Sequence, residues 1–75
     1  MNNDEQYFMQ YKAIYKKVDE KLDIRGSVLT ALVQICINNN GTLPLVARER
    51  FKFCVPDSYY DYIEIVAKEV LQASH

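Results

Sequence analysis

Arg48, Arg50 and Lys52 are the residues whose type and spacing come nearest to a chemistry in this chain. They lie in NNNGTLPLVARERFKF, residues 38–53, where a turn-like run leads into a Pro-started segment. A short basic helix after a turn is what a helix-turn-helix protein sets against DNA phosphates and base edges. The same stretch also reads as a corner of a helical bundle. Catalytic chemistry has less to work with. The single histidine, His75, is the last residue and a poor candidate for a positioned base. Cys36 and Cys54 sit in apolar runs, QICINN and FKFCVP, and read as reduced core residues, because free cysteine is among the most buried residue types. No Gly-rich phosphate loop, paired metal-ligand motif or His-Glu-x-x-His arrangement is present, so no cofactor, no metal and no enzymatic activity are expected.

The elements that must position these residues read as helices. In residues 4–22, Tyr7, Phe8, Tyr11, Ile14, Tyr15, Val18 and Leu22 fall on one face at 100° per residue, with Lys12, Lys16, Lys17, Asp19 and Glu20 elsewhere. Asn2 or Asn3 can cap the first turn, and Asp4 and Glu5 suit the positive end of the helix dipole. A second helix over 27–38 is apolar on nearly every side, with Leu29, Leu32, Val33 and Cys36 on one face and Val28, Ala31 and Ile35 on another. Such a helix is buried and central. Asn39, Asn40 and Gly41 end it, because Asn and Gly tolerate a left-handed C-cap. Thr42 reads as the N-cap of a short third helix over 43–52, with Pro44 in its first turn. That helix is expected to turn Leu43, Val46, Ala47 and Phe51 inward and Arg48 and Glu49 outward, which leaves Arg50 awkwardly near the inward side. Phe53, Cys54 and Val55 form an apolar connection closed by Pro56, and Ser58 with Asp61 has capping-box spacing. The last helix, over 57–73, buries Tyr59, Tyr60, Ile63, Val66, Ala67, Val70 and Leu71 and leaves Asp61, Glu64 and Lys68 to solvent.

These readings give an all-α fold: a compact bundle of about four helices forming a single domain over residues 1–75, with a helix-turn-helix-like order in the C-terminal half. At 75 residues a single core is only marginally sufficient, so a partner or a second copy would add useful support. A formal charge of −1, from nine basic and ten acidic residues, argues against a surface built as a whole to hold phosphates. No apolar run approaches the roughly 20 residues that span a bilayer, and the opening MNNDEQ lacks a signal-like segment. A soluble cytoplasmic protein without a membrane partner is expected.

Asn40-Gly41-x-Leu43, followed by Arg50, Phe53, Asp57 and Ile63-Glu64, resembles a short helical segment near the C-terminus of some Fic-family proteins. The chain has no His-Pro-Phe motif, so the resemblance implies a turn-and-two-helices unit and no AMP transfer.

Function is therefore expected to lie in protein–protein interaction, with another protein or a second copy as partner. The composition supports this, with six Tyr and three Phe, residue types enriched at interfaces. Met9, Tyr62 and Ile65 fall outside the apolar faces of their helices and are the candidate interaction surface. The alternative is a DNA-binding helix-turn-helix regulator using Arg48, Arg50 and Lys52. Against it, the last helix opens D-S-Y-Y-D-Y-I-E, and Asp57, Asp61 and Glu64 there would repel a polyanion. Arg50 separates the two. Paired with Asp57, Asp61 or Glu69 it is a tie inside the bundle, and exposed beside Arg48 and Lys52 it restores a basic patch.

Overall fold

The computed structural model describes residues 3–73, apart from the side chain of Asn3. The expected caps by Asn2 or Asn3, and His75, lie outside what is described. Four helices follow in order: α1 Asn3–Lys21, α2 Gly26–Asn38, α3 Leu45–Arg50 and α4 Asp57–Ala73. No strand occurs among the described residues, and the all-α bundle is as the sequence predicts. Helices α1, α2 and α4 pack against one another as a three-helix core, with α3 as a short side element between α2 and α4. The radius of gyration, 11.6 Å, matches the roughly 11 Å of a compact domain this long. No described helix is long and apolar enough to cross a membrane.

Helix α1 carries its acids, Asp4 and Glu5, in the first turn and Lys21 in the last, as the helix dipole favours. Its core stripe is Gln10, Ile14 and Val18, at successive i+4 steps, with Tyr11 and Tyr15 packed alongside. Phe8, expected inward, is exposed instead. It lies about 120° round the helix from Ile14, past the edge of the apolar arc, and Lys12 covers its ring with the ammonium 5.3 Å from the centroid.

Helix α2 is the centre of the core: Leu29, Leu32, Val33 and Cys36 are fully buried. Burial pushes the Cys36 thiol up to about 12, helped by the nearby Glu64 carboxylate, so this cysteine stays protonated and unreactive. The helix closes in a Schellman arrangement, with Gly41 N–H donating to the Cys36 carbonyl at 2.8 Å and Asn40 N–H to that of Ile37 at 3.2 Å. Asn40 and Gly41 both take positive φ, 57° and 94°, as the sequence reading of this corner requires.

The short helix departs most from expectation. It begins at Leu45 rather than 43, with Pro44 at the N-cap position and no side-chain cap. Leu43 precedes a proline, which disfavours the α region there and keeps the helix from starting at 43 with Thr42 as its cap, and its N–H goes to Glu64 of α4. With six residues α3 can bury only one stripe. Leu43, Ala47 and Phe51 take it at i+4 spacing, so Val46, expected inward, is exposed. The same spacing corrects Cys54, expected in the core. Val55 N–H reaches back to Phe51 O at 3.0 Å, so Val55 fills the inward position while Phe53 and Cys54 face solvent. Helix α4 starts at Asp57, with Tyr59 N–H bonded to Pro56 O in place of the expected Ser58–Asp61 box, and buries Tyr60, Ile63, Val66 and Ala67.

Candidate interaction surface

Arg48, expected to face outward, is the side chain that ties α3 to α4. Its Nη2 lies 3.0 Å from Glu64 Oε2, its Nη1 3.4 Å from Asp61 Oδ1, and its Nε donates to the Leu43 carbonyl at 3.0 Å. The guanidinium sits 5.4 Å from the Tyr60 ring centroid, and the Tyr60 hydroxyl donates to Arg48 O at 3.2 Å. Glu64, expected in solvent, is the hub of this knot. Its side chain is 16 % exposed, and the same Oε2 accepts Leu43 N–H at 2.6 Å. One carboxylate thus closes the α2–α3 connection and neutralises the arginine.

The electrostatics follow. Burial would raise the Glu64 pKa, but the Leu43 N–H and the Arg48 guanidinium outweigh it and hold the carboxyl below its ordinary value of 4.5. The hydrogen bond to Glu64 is the main reason the Arg48 pKa is raised, and burial, aided by Asp57, raises that of Tyr60. A carboxyl with a lower pKa folded than unfolded adds stability that is complete above the unfolded value and is lost as pH falls through the folded one. Stability in urea is therefore expected to decline as pH drops below about 4.5, and Glu64→Gln should remove part of that decline. An unchanged pH profile in the variant would dissociate Glu64 from it.

Arg50 does not make the expected tie. It is exposed, with its guanidinium 5.5 Å from the ring centroid of its neighbour Phe51. Lys52 pairs with Glu49 at 3.3 Å and lies 5.2 Å over the Phe53 ring. Arg48, Arg50 and Lys52 therefore do not form one patch, because the first is turned into the acids of α4. Arg48 takes the inward place because Glu64, Asp61 and the Leu43 carbonyl all accept from it, and Arg50 is left outside.

Exposed on the same segment are Leu45, Val46 and Phe53, at 72, 81 and 92 %. Sequence reasoning placed Val46 inward and Phe53 in an apolar connection. The signal that could have found them was the Leu43, Ala47, Phe51, Val55 spacing, which claims the inward side and leaves the others out.

Met9 lies on α1, and Tyr62 and Ile65 lie three residues apart on α4. Met9 is exposed and lines a shallow groove of about 300 Å³ with Ala13 and Lys17 of α1 and Glu69, Val70 and Ala73 of α4. Neither Tyr62 nor Ile65 lines it: Tyr62 is half-buried against the core, and Ile65 is exposed on the solvent side of α4. No group of three or more His, Cys, Asp or Glu among the described residues is placed to hold a metal ion. Against protein-family models, curated proteins and solved structures the chain gives no significant match. The resemblance to a Fic-family segment gains no support from that comparison.

Proposed function

We propose that this chain is a non-enzymatic cytoplasmic module that binds another protein, or a second copy of itself, through the outward side of α3 and the turn after it. The exposure of Leu45, Val46 and Phe53 on one short segment carries this reading. Single exposed apolar residues are ordinary. Three large ones gathered on one short segment are the kind of patch that marks an interaction site. Arg50 and Phe53 are also of residue types enriched at interfaces. The surface favoured here is thus not Met9, Tyr62 and Ile65, which are spread over two helices.

A photo-crosslinking amino acid at Val46 or Phe53, with Gln34 and Lys16 as exposed control positions, tests the proposal in the cells that carry the gene. A discrete adduct from 46 and 53 is expected, and its mass separates a second copy from another protein. Adducts equally abundant from the control positions, or none at all, would remove the reading.

The exposure of Arg50 and Lys52 favours one alternative, nucleic-acid binding. Binding through phosphates strengthens steeply as salt is lowered, so a mobility shift at low salt is its most permissive assay. No shift is expected, since Arg48 is committed to Glu64 and exposed Asp57 and Asp61 open the next helix. A shift abolished by Arg50→Ala with Lys52→Ala would put DNA in the partner's place.

A further inference from the structure

One end of the three-helix core is open. There, a cavity of about 450 Å³ has an apolar floor of Tyr7 from α1, Ile37 from the end of α2 and Leu71 from α4. Its walls include the amides of Gln10 and Asn40, and among the described residues its one charged lining residue is Lys68. Among the described residues no carboxylate lines it and none is within ion-pair distance of the Lys68 ammonium. The placement of Lys68 is built into the fold. Gly41 is buried beneath its stem, and a Cβ there would come within 2.8 Å of Lys68 Cγ. The left-handed corner that ends α2 therefore packs against the stem of a residue that lines the cavity.

An apolar floor with a few convergent polar groups, in a volume within the roughly 300–1,000 Å³ range, is the form of a small-molecule site. We propose that this cavity binds a small organic monoanion, a carboxylate on an apolar tail. The tail lies on Tyr7, Ile37 and Leu71, and the carboxylate meets Lys68 and the adjoining amides. Lys68 supplies one positive charge, part of whose field already acts on Glu64 one turn earlier on α4, so one negative charge is the most the site matches, whereas a phosphate dianion would leave charge uncompensated. The site shares no residue with α3 and stands or falls independently of the docking surface there.

The test is an NMR titration of the whole chain, labelled with nitrogen-15, using hexanoate as probe and 1-hexanol and hexylammonium as same-tail controls. Hexanoate is expected to shift the backbone amides of Gln10, Ile37, Asn40 and Lys68 saturably, with hexanol weaker by about tenfold or more and hexylammonium weaker still. Lys68→Gln, a change at an exposed position, should bring hexanoate down to the level of hexanol, while Lys16→Gln on the far side of α1 should leave it unchanged. Equal binding of hexanoate and hexanol, equal loss in both variants, or no shift at these amides would overturn the assignment.

Discussion

Replacing Glu64 with alanine is expected to destabilise the fold by about 3 kcal/mol, because it leaves the half-buried Arg48 unpaired and Leu43 N–H without an acceptor. For a domain this small each kcal/mol moves Tm by roughly 4–8 °C, so Tm should fall by about 12–24 °C. Two other substitutions locate the effect. Glu64→Gln keeps an acceptor for Leu43 and should cost about 1 kcal/mol. Asp61→Asn removes the longer pair from a side chain that is 73 % exposed, and should cost less than about 0.5 kcal/mol. Urea unfolding of the three variants checks the order. A loss from Glu64→Ala as small as that from Asp61→Asn would show that the knot is screened by solvent and holds nothing.

Leu32→Ala is the second large effect. Leu32 is fully buried on the helix that packs against both α1 and α4, and truncating such a leucine removes about 2–5 kcal/mol. Total stability for a chain of this length is of the order of 4–11 kcal/mol, so the variant should lose a large fraction of it. Val46→Ala, at a position the sequence also placed inward, should change stability by less than about 0.5 kcal/mol. Thermal melts followed by circular dichroism report both. A comparable loss in the two variants would mean that Val46 is buried and that the outward side of α3 is misassigned.

That pair also shows where the sequence was legible. Helices α1, α2 and α4 each run through several turns, long enough for a 3.6-residue period to declare a face, and Asn40-Gly41 signals the left-handed corner by residue type alone. Helix α3 is too short for a period to declare itself, and Pro44 keeps Leu43 out of the α region, so the faces of Val46, Arg48 and Arg50 are set by how the segment packs and not by its period. Glu64 was unreadable for a different reason. On its own helix it looks like a solvated acid, and the donor that recruits it, Leu43 N–H, is 21 residues away in sequence. Phe8 shows the limit even within a clear helix, since a residue at the edge of an apolar arc is placed by its neighbours and not by its period.

Of the candidate sites, Arg48, Arg50 and Lys52 were found as residues but not as an arrangement. The exposed Leu45, Val46 and Phe53 were hidden behind the assumption that apolar residues near a corner serve the core. The most direct measurement on the proposed surface is the crosslinking assay with a double variant, Val46→Asp with Phe53→Glu, and the photo-reactive residue moved to the adjacent exposed Arg50. Both substituted positions are more than four-fifths exposed, so circular dichroism and Tm should match the parent while the adduct is lost. A variant that keeps its fold and still forms the same adduct would contradict the assignment of this surface.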